Sequence, residues 1–182
     1  VLSRAILSGI PGIYKEAAYK AIYESSTLSH RNSPFEIWEK YGYMPETLQS
    51  QSVSITLEQA FDDWCVYAVA KALGKADDAE RFLKRSEYYR NLFDPSIGFF
   101  APKDEHGNWI RPFDPLGYGS NGGNPFTEGN AWQYLWFVPH NPQRLIELFG
   151  GRQKFIDKLN ENFTLEVKPD SHNENASGFI GQ

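Results

Sequence analysis

The sequence predicts an all-α protein built from paired helices, and three observations carry that prediction. Apolar residues recur at helical spacing through most of the 182 residues. Capping residues and helix-stopping glycines punctuate those runs. One long departure, residues 94–126, is rich in Gly, Pro, Asn and Asp and separates two sets of helices.

The elements follow in order. Residues 11–26 place Ile13, Ala17, Ala21 and Ile22 at helical spacing, with Pro11 suited to a first turn. Ser33-Pro34-Phe35-Glu36 reads as a capping box with proline at the first helical position, and Gly42 ends the short helix it starts. The strongest helix is predicted over 56–73, because Thr56 and Gln59 have capping-box spacing and Gly74 stands where a C-terminal glycine belongs. Leu57, Phe61, Trp64 and Ala68 make one apolar stripe on it; Val66, Val69 and Leu73 make another. A helix apolar on two sides is buried between neighbours, as the inner ring of a helical toroid requires. Asp77 and Glu80 cap the next helix, which carries Phe82, Tyr89 and Phe93 and ends before Asp94-Pro95.

Within the long loop of residues 94–126, Gly98-Phe99-Phe100 and Trp109-Ile110 flank a polar turn at 104–108, which predicts a small β-hairpin. Loops of that length are functional or disordered, and the aromatics favour order here. Helices resume at 127–138, at 142–149 with Asn141 as cap, and at 153–163. The tail at 168–182 is polar and loop-like until Phe179. The chain begins at Val1 inside helical sequence and stops just after Phe179-Ile180, so we expect a fragment of a longer polypeptide. A signal peptide is then not to be looked for in it.

Composition excludes several classes of function. The net charge is −5 with no cationic stripe, which argues against nucleic acid, since phosphate neutralisation needs clustered cations. No apolar run reaches the length of a membrane span. Cys65 is alone, which rules out an internal disulfide or a cysteine metal cluster. No histidine pair has zinc spacing, and no nucleophile elbow, phosphate loop or dinucleotide fingerprint occurs. Aromatic residues make up 15% of the chain, a surplus that suits stacking on sugar rings and equally suits a packed core.

Two acidic clusters could carry chemistry. Glu128 falls in the first turn of the predicted 127–138 helix, after Thr127 as N-cap. One reading is that it complements the helix dipole. The other is that it is a general acid kept protonated by apolar surroundings, with Trp132 one turn on along the same face and Phe126 and Trp136 nearby. Asn130 and Gln133 add hydrogen-bonding groups beside it. Glu58 and Asp62 share one face of the preceding long helix, and Asp63 points elsewhere. They line a pocket, or they pair with Arg81 or Arg85 of the next helix; the residues leave both open.

At these positions the sequence resembles glycoside hydrolase family 92, the calcium-dependent α-mannosidases best represented in bacteria. The strings that carry the likeness are SVSITLEQAFDDW (52–64), NLFDPSIGFF (91–100), WIRPFDP (109–115) and TEGNAWQYLWFVPHN (127–141), followed by the glycine pair at 150–151. The likeness covers most of the chain from about Tyr41 onward. It implies that residues 1–182 are part of a single (α/α)6 catalytic toroid. It also implies an inverting exo-α-mannosidase, α-1,2-type, acting on mannose-containing oligosaccharides of N-glycan or mannan type. By motif the general acid falls on Glu128, with Trp132, Gln133, Asn130, Glu58 and Asp62 as substrate-binding candidates. The family's base and part of its calcium shell fall beyond Gln182, so residues 1–182 alone are expected to be inactive without the remainder of the polypeptide. The implied location is periplasmic, cell-surface or secreted. Another (α/α)6 carbohydrate-active enzyme and a non-catalytic helical sugar-binding module are the alternatives.

Overall fold

The computed structural model describes residues 1–29, 34–117 and 125–166. Helix α4 (Ser52–Ala72) is the spine of the fold. Around its C-terminal half pack α1 (Leu2–Leu7), α2 (Lys15–Ser25) and α5 (Ala76–Arg85). Ile6, Tyr19, Val66, Val69 and Phe82 form the apolar cluster between them. Around its N-terminal half lie α3 (Phe35–Tyr41), a 3-10 turn (Tyr88–Leu92), and α6 (Ala131–Tyr134) to α8 (Arg152–Thr164), with α7 (Pro142–Leu148) between. Trp38, Met44, Val53, Leu57, Phe100 and Leu135 are fully buried in this larger cluster.

Gly42 closes α3 in the left-handed region at φ 69°, and Gly74 follows α4 at φ 72°, as their places in the sequence predict. Asn141 caps α7 by accepting from the Arg144 N–H at 3.1 Å, with Pro142 in the first turn. The first residue of the predicted capping box at 33–36 and the 168–182 tail lie outside the described residues; Pro34 stands at the N-cap of α3 without a side-chain cap bond.

Helices α2, α4 and α5 have boundaries that differ from the sequence reading. Helix α4 starts at Ser52, one turn before Thr56. Its leading N–H groups, those of Val53 and Ser54, donate to the Pro125 carbonyl at 3.0 and 3.2 Å, a partner supplied by a distant loop. Thr56, freed from capping, is buried and accepts from the Met44 N–H at 2.9 Å. Helix α2 starts at Lys15, leaving Pro11 in the preceding turn. Helix α5 stops at Arg85, and Lys75, not Asp77, stands at its N-cap. Tyr89 falls in the 3-10 turn, and Phe93 in strand β1 (Phe93–Asp94).

The hairpin also has a different partner. Phe99-Phe100 (β2, Phe99–Phe100) pairs with β1 in antiparallel register, Phe93 opposite Phe100, across a turn at 95–98. The polar turn at 104–108 exists, but it is closed by a single bridge between Lys103 and Trp109. Two burying phenylalanines prefer the apolar side of the core to the lysine and tryptophan of the exposed turn.

The two stripes of α4 are covered unequally. Leu57, Val66 and Val69 are buried, whereas Phe61, Trp64, Ala68 and Leu73 are half-buried. Phe61 and Trp64 stack on each other and meet the His140 ring at centroid distances of 6.1 and 6.3 Å. Asp63, wholly buried, receives two hydrogen bonds from Arg85 at 2.8 Å, one from Trp38 at 2.9 Å and one from Gln59 at 3.0 Å. This ion pair ties α3, α4 and α5 together. Arg81 pairs with Glu39, so neither arginine serves Glu58 or Asp62.

Candidate active site

The segment from Pro125 to Gln133 is placed by the N-terminal end of α4. Pro125 accepts the leading helix N–H groups, and the Thr127 N–H donates to Ser54 Oγ at 2.8 Å. Thr127 is therefore no N-cap. Asn130 is: its side chain accepts from the Gln133 N–H at 3.1 Å, and the Gln133 side chain accepts from the Asn130 N–H at 3.0 Å. The predicted 127–138 helix shrinks to α6, because the Asn130 backbone is extended and Glu128 is left-handed.

Glu128 thus sits on a turn, not in a helical turn, with φ 46°. A non-glycine residue there costs roughly 1–2 kcal/mol, which the surrounding hydrogen bonds must offset. Gly129 follows in a tight place: a Cβ on it would lie 2.9 Å from Gln133 Oε1 and 3.2 Å from the Tyr134 ring, so a larger residue must push one of them aside.

Glu128 lines a cleft of about 270 Å³ together with Glu58, Gly129, Gln133, Tyr134 and Phe137. Glu58 faces it from α4, and the Tyr134 hydroxyl lies 3.4 Å from Glu58 Oε1. Burial pushes the Glu58 carboxyl above the ordinary range, and the nearby charge of Asp62 adds to the effect. Among the described residues none hydrogen-bonds the Glu128 carboxyl, so it stands free to engage a ligand.

The expected aromatic wall is built differently. Trp132 does not share a face with Glu128: it is buried, edge to face with Phe99 at 4.8 Å, with Lys158 Nζ 4.0 Å over its ring. Trp136 turns toward α7 and α8, meeting Phe149 and Phe155. Tyr134 and Phe137 take the place in the cleft that the sequence reading gave to tryptophan. Asn130 is buried and committed to its cap, while Gln133 both caps and lines the cleft. Asp62 lines another hollow, with Gln59, Phe61 and Cys65 of its own helix and residues of α1 and α2. Burial raises its carboxyl as well. Glu58 therefore joins Glu128, and Asp62 does not share the cleft. Ser54, Tyr134 and Phe137 were missed as site residues, since contacts across 73 and 76 positions leave no local signal in one sequence.

Known proteins resemble this chain in sequence and in fold. Residues 1–182 match the glycosyl hydrolase family 92 catalytic domain. An uncharacterized secreted glycosidase of Arthroderma benhamiae is 30% identical over 152 residues, covering 67% of this chain and 19% of that protein. The family GH92 α-mannosidase BT3965 from Bacteroides thetaiotaomicron, solved in complex with mannoimidazole, superposes with a TM-score of 0.87 at 36% identity, over 93% of this chain and 22% of its own. The family GH92 inverting mannosidase BT2199 from the same species gives 0.82 at 34% identity, over 98% of this chain and 24% of its own. The chain thus spans about a fifth of the length of these relatives. Its described helices and the β1–β2 ribbon are part of the (α/α)6 toroid of those structures. With the whole sequence matched and the fold shared, the chain belongs to glycosyl hydrolase family 92.

Proposed function

We propose that this chain supplies the general acid, Glu128, to an inverting exo-α-mannosidase of α-1,2 type acting on N-glycan or mannan oligosaccharides. The observation that carries the reading is the placement of Glu128: it stands on a left-handed turn, lines the cleft, and among the described residues none hydrogen-bonds its carboxyl. The two Bacteroides enzymes, an α-mannosidase and an inverting mannosidase, support the substrate and the stereochemistry.

In this mechanism the Glu128 carboxylic acid passes its proton to the glycosidic oxygen as the bond to the anomeric carbon breaks. Water attacks the opposite face, activated by a second carboxylate about 6.5–9.5 Å away. The family resemblance assigns that base to a motif beyond Gln182, and Glu58 is read as a binding residue of the cleft. The base is assigned outside residues 1–182, and those residues alone are expected to have no turnover. Calcium belongs to the same proposal. Among the described residues no three His, Cys, Asp or Glu side chains converge as a metal site, so no step here is routed through it. No described helix is long and apolar enough to cross a membrane, and the fungal relative is described as secreted; we propose a secreted, periplasmic or cell-surface location.

Proton NMR of the first-formed sugar tests the mechanism in the complete enzyme. Inversion gives β-mannose first; initial α-mannose would sink it.

A further inference from the structure

We infer that Tyr134 is a positioning residue for Glu128: its hydroxyl, donated to the Thr127 carbonyl at 3.0 Å, fixes the peptide plane from which the acid projects. The inference rests on Glu128 being the acid, and it names how that acid is aimed.

The argument begins with the strained turn. Rotation of the Thr127–Glu128 peptide about the next backbone bond is the φ of Glu128, which stands at 46°. A turn at such a value relaxes unless its flanking peptide groups are held. Thr127 is held at both ends: its N–H donates to Ser54 Oγ at 2.8 Å and its carbonyl accepts from Tyr134. The carbonyl belongs to the peptide bond that enters Glu128, so the Tyr134 bond acts directly on the orientation of the acid.

The phenol is itself fixed. Its ring lies 5.8 Å from Phe126 and 6.4 Å from Phe137, and Gly129 lets the turn lie against it. Glu58 Oε1 is the alternative acceptor at 3.4 Å, but a phenol has one proton, and the shorter contact takes it. Burial raises the phenol's ionisation further above its ordinary range, so it remains a donor at neutral pH. Tyr134 therefore sits in the cleft as a donor to the acid's backbone, with no need to touch the reacting atoms.

Kinetics of the complete enzyme test this with Tyr134→Phe, which removes the hydroxyl and keeps the ring. A poor leaving group needs the proton from Glu128, whereas an activated aryl α-mannoside departs without it. The expected result is a roughly tenfold loss of kcat on the poor leaving group, the upper range for one hydrogen bond, with KM and the activated substrate nearly unchanged. Ser54→Ala, which releases the other end of Thr127 and also removes a hydrogen-bond partner of the Tyr134 phenol, should give the same pattern and decides the matter if Tyr134→Phe fails to fold. Equal losses on both substrates, a change in KM alone, or no loss would overturn the inference. Glu128→Gln run alongside separates the two ideas. If its own loss is the same on both substrates, the acid assignment falls and this inference with it. If its loss depends on the leaving group while the loss in Tyr134→Phe does not, only the positioning role falls.

Discussion

Helix α4 governs two carboxyl groups by different means. At its buried centre it carries Asp63, whose side-chain oxygens receive four hydrogen bonds from Arg85, Trp38 and Gln59. At its N-terminal end it anchors the turn of Glu128, where the bonds fall on the backbone and none of the described residues bonds the carboxyl. Asp63 is spent on architecture: its bonds from Arg85 and Trp38 join α4 to α5 and α3, the one from Gln59 lies within α4, and burial without those partners would be costly. Glu128 keeps its carboxyl unspent while the chain beneath it is clamped. A reactive acid needs that division between a held backbone and a free side chain.

Crossed substitutions in the complete enzyme test the contrast most strongly. Glu128→Gln should cut turnover on poor leaving groups by roughly 10²–10⁴ and leave thermal stability nearly unchanged, with a much smaller loss on an activated aryl mannoside. Asp63→Ala should do the reverse, costing about 3–5 kcal/mol in denaturant unfolding because Arg85 stays buried with Glu39 and a carbonyl as its remaining acceptors. Its folded fraction should show the wild-type ratio of rates on the two substrates. A large unfolding defect in Glu128→Gln, or an altered ratio in Asp63→Ala, would erase the distinction.

A smaller effect is expected where the turn meets its support. Gly129→Ala places a methyl group 2.9 Å from Gln133 Oε1 and 3.2 Å from the Tyr134 ring, so one of them must move. The expected cost is about 1–3 kcal/mol, divided between stability and turnover on poor leaving groups. If Gly129→Ala matches the parent in melting temperature and in both rates, the turn is looser than described.

The smallest expected effect concerns pH. Burial lowers the His140 ionisation below its ordinary value, against the opposing pull of the Ser86 carbonyl and Glu87. The unfolded chain then binds the extra proton more readily, so this residue's contribution falls as pH drops below about 6.5. Glu46, Glu58 and Asp62, raised by burial, act in the contrary direction over acid pH. Comparing melting temperatures of wild type and His140→Asn between pH 7 and 5 isolates the histidine. The variant should lose less on acidification; equal losses would refute the assignment.

The sequence by itself determined what depends on neighbours along the chain. Gly42 and Gly74 close their helices because left-handed backbone beyond a helix end favours glycine, and Asn141-Pro142 starts α7 because cap and fixed φ are adjacent. The helical class and the acidic residues worth testing were legible in the same way, and the family motifs pointed to Glu128. Tertiary structure decided what rests on partners far away. Thr56 has the spacing of a cap, yet Pro125 caps α4 a turn earlier. Trp132 would face Glu128 in a continuous helix, but the turn at Glu128 and the cap at Asn130 rotate it onto Phe99 and Lys158. Glu58 joined the cleft and Asp62 did not, because a helix face is divided by whatever packs across it. The physical reason is common to all three: a single sequence specifies donors, acceptors and periodicity, while pairing between positions tens of residues apart is fixed only when the helices pack.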